Sequence, residues 1–438
     1  MQNIENTQKK SNMQKVALTA LAGTSIEWYD FFLYGAAAAL IFPTAFFGEM
    51  PPTTALLLSL LTFAAGFIAR PIGGIIFGHF GDKVGRKKTL ISALMLMGIS
   101  STLIGLLPTY AMIGVAAPIL LTTLRFAQGL AIGGQWGGAM LLVTESAPSD
   151  QRGYYGAFAQ AGAPIGVILA NLALIITSAL VSEEFFNTWG WRIPFLASAV
   201  LILISMYIQL NLEDTDAFKA LVDNKDTQSD ENIKKSPVVE AIRKYPKRIF
   251  LAAGAFLSVQ VTFYILIAFM LAYGVTSANM ARDDMLAAVL IASAIMVPVQ
   301  FIFSSYSDRH GRKGIFMSGA VLTGIWAFAI FPLVDTGNFY LIVLAITGGL
   351  VFLAMMYGPQ AAFFTELFST EVRYSGATLG YQFGAIVGGA FAPTIAVKLW
   401  TEFDIIWVSA YIALASLLTL RSVMALTETY QSDLNNTD

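Results

Sequence analysis

The chain has 438 residues, and 56% of them are hydrophobic against 12% charged, a balance that excludes an ordinary soluble domain. Lys and Arg (26) nearly match Asp and Glu (28), which excludes a basic nucleic-acid surface. With no cysteine, and with only His79 and His310 in two different loops, disulfides, thiolate nucleophiles, metal centres and His-based hydrolysis drop out, so no enzyme is expected.

A bilayer core requires roughly 20 apolar residues per helix. Such segments recur near 16–42, 55–80, 89–107, 113–143, 154–180 and 192–212, and again near 249–273, 285–307, 314–334, 339–364, 375–398 and 404–426. The expected fold is therefore an all-α membrane protein with twelve transmembrane helices in two six-helix bundles, residues 1–212 and 249–438. Residues 213–248, rich in Lys, Asp and Glu, read as a solvated linker with a short helix after Pro237. The first span is too long for a cleavable signal peptide and lacks a small-residue cleavage site. Lys9, Lys10, Lys15, Lys83, Arg86, Lys87, Lys88, Arg152, Arg309, Arg312, Lys313 and Arg373 all fall in alternate loops or at the N-terminus. The opposite loops carry little beyond Arg282 and Lys398. Positive loops stay inside, so both termini and the linker are expected in the cytoplasm.

Two loop motifs occur twice. Asp82-x-x-Gly85-Arg86-Lys87 between spans two and three recurs as Asp308-x-x-Gly311-Arg312-Lys313 between spans eight and nine. Thr144-Glu145 precedes Arg152 by the same interval at which Thr365-Glu366 precedes Arg373. Shared order and spacing mark a parallel internal repeat. An Asp in such a turn can cap a helix or accept from a neighbouring Arg. Asp82, Arg86, Glu145, Arg152, Asp308, Arg312, Glu366 and Arg373 are therefore expected to form a cytoplasmic gate, while Lys87, Lys88 and Lys313 read as plain positive anchors.

These loops, with Leu121-x-x-x-Arg125-x-x-Gln128-Gly129, resemble the major facilitator superfamily. Gly23-Thr-Ser-Ile-Glu27-Trp28-Tyr29-Asp30-Phe31, Arg70-Pro71-Ile-Gly73-Gly74, Gly133-Gly134-Gln135-Trp136-Gly137-Gly138 and Trp189-Gly190-Trp191-Arg192-Ile-Pro194-Phe195 are similar to its metabolite–proton symporter family. The resemblance covers essentially the whole chain. It implies carriage of shikimate, other small carboxylates, or zwitterions such as proline and betaine, the shikimate-type members being most alike. It implies a monomer in a bacterial inner membrane, with a proton as coupling ion and no other cofactor. Relatives usually carry Glu at Gln135, and a neutral amide cannot exchange a proton.

Charges deep in a bilayer cost at least about 2.5–3.5 kcal/mol each. Four residues stand there: Glu27, Asp30, Arg70 and Arg125. Glu27 and Asp30 share a helical face. Arg70 lies roughly 18 Å from Asp82 at ~1.5 Å per residue, near mid-membrane. The expected mechanism pairs Asp30, with Glu27, against Arg125, whose release on protonation lets it bind a substrate carboxylate, with Arg70 as second anion site. Gln128, Gln135, Trp28, Tyr29, Gln160, Gln260, Tyr264 and Tyr357 complete the expected substrate contacts, with Asn171, Gln300, Gln360, Tyr381 and Gln382 as further neutral candidates. Trp189, Trp191 and Trp400 read as interfacial aromatics. The glycine clusters at 129–138 and 380–389 read as close helix packing rather than nucleotide loops. The activity expected is proton-coupled uptake of a small organic carboxylate; a zwitterion symporter or an uncoupled facilitator is the alternative.

Overall fold

The structure is a computed structural model describing residues 2–84, 86–133, 140, 143–213, 237–369 and 373–430, without the side chains of 2–12, 78–84, 86, 87, 90, 208–213, 237–240 and 374. Among the described residues twelve long helices follow one another: α1 (Gln2–Leu40), α2 (Pro52–Val84), α3 (Arg86–Leu106), α4 (Ala116–Gly133), α5 (Arg152–Leu180) and α6 (Ile193–Glu213). The second set is α7 (Pro246–Thr276), α8 (Arg282–His310), α9 (Arg312–Val334), α10 (Phe339–Glu366), α11 (Ser375–Glu402) and α12 (Ile405–Ala425). No strand occurs among the described residues. A helix satisfies its own backbone, the requirement that lipid imposes.

Ten of the twelve are long and apolar enough to cross a membrane. The other two are α3, with a shorter apolar stretch at Ile91–Leu106, and α1, which carries Glu27 and Asp30 in its length. Residues 134–139, inside the expected fourth span, and 214–236, inside the expected linker, lie outside the described residues. The short helix after Pro237 is present as Pro237–Lys244.

The helix pairings repeat with an offset of six. In the first half α1 packs on α5, α2 on α4, and α3 on α4 and α6. In the second half α7 packs on α11, α8 on α10, and α9 on α10 and α12. Between the halves α2 packs against α11 and α5 against α8, a pair of seams related by the same offset, and α5 also meets α10 and α1 meets α7. Glycines set the closeness of these pairs. A Cβ on Gly129 would fall onto the carbonyl oxygen of Gly66, and one on Gly133 onto that of Arg70, so α4 and α2 touch backbone to backbone. The chain of α7 is interrupted by a π turn at Ile265–Phe269 and that of α11 by one at Ala385–Ala390. Such turns reorient side chains within a helix and recur at functional sites. Here the first directly follows Tyr264 and the second contains Gly389, where a Cβ would stand 2.9 Å from both Tyr264 and Phe67.

Candidate functional site

At the centre the halves close around a cavity of about 10 Å³, lined by Trp28, Phe32, Gln260, Phe263, Tyr264, Tyr357 and Tyr381 among others. Of the expected contacts, Trp28, Gln260, Tyr264 and Tyr357 are brought to it. Tyr29 is not: its hydroxyl turns away and donates to the Pro194 carbonyl at 2.8 Å, tying α1 to α6. Gln160 is an interhelical strut, donating to the Tyr357 carbonyl at 3.3 Å, and Gln300 and Asn171 likewise bond backbone across the α5–α8 seam. Gln135 lies outside the described residues.

Arg70 and Arg125 are both buried, and each rests on aromatic faces. The Arg70 guanidinium lies 4.3 Å from Phe31, 4.5 Å from Phe67 and 5.3 Å from Trp28. That of Arg125 lies 4.0 Å from Phe31, 4.3 Å from Tyr34 and 4.6 Å from Phe63. Arg70 lies just behind the cavity wall, beside its lining residues Trp28, Tyr264 and Tyr381. Its Nε and Nη2 have no hydrogen-bond partner among the described residues.

The direct Asp30–Arg125 ion pair expected from the sequence is not formed here. Arg125 Nη1 donates to Gln128 Oε1 at 3.1 Å, Gln128 Nε2 donates to Ser101 Oγ at 2.7 Å, and Ser101 stands beside the Asp30 carboxylate. Ser198 Oγ donates to Asp30 Oδ1, while Asp30 Oδ2 has no partner among the described residues. A polar chain of Arg125, Gln128 and Ser101, leading toward Asp30, thus stands in place of the pair, and Gln128 belongs to it rather than to the cavity. The reason is geometric: Arg125 is drawn to the rings of Phe31, Tyr34 and Phe63, and Asp30 is turned toward serines on α3 and α6. Glu27 is half-buried one turn earlier on α1.

The loop end of the molecule holds a charge cluster that crosses both halves. Asp308 accepts from the backbone N–H groups of Gly153 and Tyr154 at 2.7 and 2.8 Å, capping α5 from the other half, and from Arg312 Nη1 at 2.6 Å. Arg312 also meets Glu366 at 3.2 Å, Arg152 approaches Glu366 at 3.8 Å, and Arg373 meets Glu145 at 3.4 Å. Burial pushes the Arg373 guanidinium below its ordinary range, and the facing Glu145 carboxylate opposes that shift. Thr144 and Thr365 hydroxyls meet at 3.2 Å. The side chains of Asp82 and Arg86 lie outside the described residues.

Two readings of single residues need correction. Lys313 is more than an anchor, because its Nζ donates to the carbonyls of Met424 and Leu426 at 2.8 Å and so closes the end of α12. Trp191 is fully buried against Phe42, Phe46 and Phe195 rather than interfacial. Sequence reasoning also missed Ser101, Ser198, Glu428 and Thr429. Glu428 accepts from the backbone of Arg312 and Lys313 at 3.0 Å, and Thr429 Oγ1 donates to Glu366 at 2.8 Å. Phe63, Phe67 and Arg70 did carry a signal, being spaced four and three apart on one face of α2.

The Major Facilitator Superfamily family model matches residues 20–393. The chain belongs to the major facilitator superfamily. Among similar proteins, the inner membrane metabolite transport protein YhjE of Escherichia coli K12 is 39% identical over 97% of this chain and 96% of its own length. The shikimate transporter of the same organism is 36% identical, covering 96% of each chain. Its proline/betaine transporter is 32% identical over 93% of this chain and 82% of that protein. A crystal structure of the D-xylose-proton symporter superposes with a TM-score of 0.72 at 17% identity, over 97% of this chain and 99% of that one. This major facilitator superfamily member is a membrane-spanning transporter and not an enzyme.

Proposed function

We propose that the protein takes up a small organic carboxylate together with a proton, by alternating access, in a bacterial inner membrane. One observation carries the choice of substrate class: Arg70 is fully buried directly behind the cavity wall, against its lining residue Trp28, with two unpartnered guanidinium nitrogens, and no carboxylate lines that cavity among the described residues. A cation taken out of water without a counter-charge costs several kcal/mol, so a site that keeps one is matched to an incoming anion. The aromatic walls would hold an apolar or ring-shaped body, and the amide of Gln260 and the three tyrosine hydroxyls would take its polar groups.

Asp30 is the proposed proton carrier, buried with no cation in direct contact and standing at the end of the polar chain that runs from Arg125 through Gln128 to Ser101. Glu27, half-buried on the same face of α1, would serve proton entry. The charge cluster of Asp308, Arg312, Glu366, Arg152, Glu145 and Arg373 would hold the cytoplasmic end closed, with both termini and the linker on that side. Residues 1–212 and 249–438 would be the two rocking bundles, working as a monomer with the proton as the only coupling ion.

A zwitterion such as betaine is the second reading. The aromatic lining favours it, since quaternary ammonium groups sit on ring faces, and the proline/betaine relatives are similar over most of the chain. The carboxylate ranks first because Arg70 and Arg125 already place two cations around Phe31, and an ammonium group would add a third.

The test is transport in proteoliposomes under an inward proton gradient, with labelled shikimate and glycine betaine. Shikimate is expected to accumulate above equilibrium in the wild type and only to equilibrate, or not move, in Asp30→Asn. Gradient-independent equilibration in the wild type would refute symport, and accumulation of betaine alone would move the assignment to the second reading.

A further inference from the structure

We infer that Phe31 is the partition between a substrate compartment at Arg70 and a proton compartment at Arg125, and that both guanidinium groups are positioned on its ring. The inference rests on the reading of those two residues given above. Phe31 is one of three rings, with Phe63 and Phe67, whose centroids lie 5.0 to 5.4 Å apart. Each arginine rests on two of the three and they share one: Arg70 takes Phe31 and Phe67, Arg125 takes Phe31 and Phe63.

What lies on either side differs in chemistry. Beyond Arg70 come Tyr264, Tyr381 and the cavity. Beyond Arg125 come Tyr34, whose hydroxyl meets Thr62 at 2.7 Å, and the polar chain through Gln128 and Ser101 toward Asp30. No described hydrogen bond joins the two sides; the shared Phe31 ring does. Phe31 is 1% exposed and Phe63 and Phe67 are fully buried, so the partition is dry.

This arrangement performs two tasks. The ring faces attract both cations, which otherwise repel each other in a medium that screens them poorly. The three rings also bar a water chain that would let a proton pass from the polar chain to the cavity without substrate. Coupling between the compartments is then electrostatic: an anion arriving at Arg70 changes the field at Arg125 through the ring, and no atom is exchanged.

Two variants separate these tasks, read in proteoliposomes loaded with a pH-sensitive dye. Phe31→Ala opens the barrier, and the expected result is a substrate-independent proton leak about tenfold above wild type. Phe31→Leu keeps most of the volume but removes the ring face; the leak is expected to stay at the wild-type level while apparent shikimate affinity falls about tenfold. A wild-type leak in folded Phe31→Ala, or unchanged shikimate affinity in Phe31→Leu, overturns the inference. If Phe31→Ala does not fold, Phe31→Trp, which fills the barrier and keeps a face, replaces it, and a leak in that variant overturns the partition. The leak assay uses no substrate, so a wild type that fails to couple shikimate to protons refutes the proposed function while leaving the partition to stand or fall on the leak.

Discussion

Replacing Asp308 with Asn tests whether the charge cluster holds the loop end shut. Asp308 accepts from two backbone N–H groups of the other half, at 2.7 and 2.8 Å, and from Arg312 at 2.6 Å. Asparagine keeps one acceptor oxygen and turns an NH2 toward donors. Hydrogen bonds to charged groups contribute about 1.5–3 kcal/mol each. Loss of charge on both cross-seam bonds, part-offset by the retained oxygen, removes about 3 kcal/mol from the closed arrangement and little from an open one, where water meets the same groups. That shift multiplies the open-to-closed ratio about 150-fold.

The cysteine-free sequence makes the shift measurable. Thr365 is fully buried opposite Thr144 of the other half, so a single Thr365→Cys reports opening through its rate of maleimide labelling. While the open state stays a minor population, that rate scales with it. Labelling about 100-fold faster in the Asp308→Asn background is expected. A change below about threefold, in protein of unchanged thermal stability, would refute the argument that this cap and ion pair close the seam.

Gly129→Ala should destabilise the protein by about 1–3 kcal/mol, because its methyl would land on the Gly66 carbonyl and force α2 from α4; an unchanged unfolding temperature in detergent counts against that close approach. Tyr29→Phe should cost about 1 kcal/mol of stability by leaving the Pro194 carbonyl unpaired, with shikimate KM unchanged. A raised KM at full stability would return Tyr29 to the substrate contacts.

Much of the architecture was legible because lipid leaves few options. Long apolar runs had to be helices, and the duplicated Asp-x-x-Gly-Arg-Lys loops carried the six-helix offset that the packing repeats. Glycine spacing on α4 foretold close approach to a neighbour, though not that the neighbour is α2. The site was legible as residue types and less so as partners. Arg70, Arg125 and Asp30 announce themselves as charges in apolar segments. What each touches depends on side-chain rotation and helix phase, which no spacing encodes. Tyr29 and Trp28 are adjacent in sequence, yet one binds the Pro194 carbonyl and the other lines the cavity. Ser101 and Ser198 sit among many serines and gave no signal at all. Phe31 was visible as one more apolar residue in a span, and its meaning comes only from the two cations on it.

The bonds made by Glu428, Thr429 and Lys313 have a practical side. They turn the stretch following α12 into a working part of the carrier, fastened to the start of α9 and to Glu366. A reporter or affinity handle joined at Leu426 would displace these bonds and, if the charge cluster is the proposed gate, yield a carrier whose altered kinetics would be mistaken for native behaviour. A junction placed after Tyr430 leaves every one of them in place.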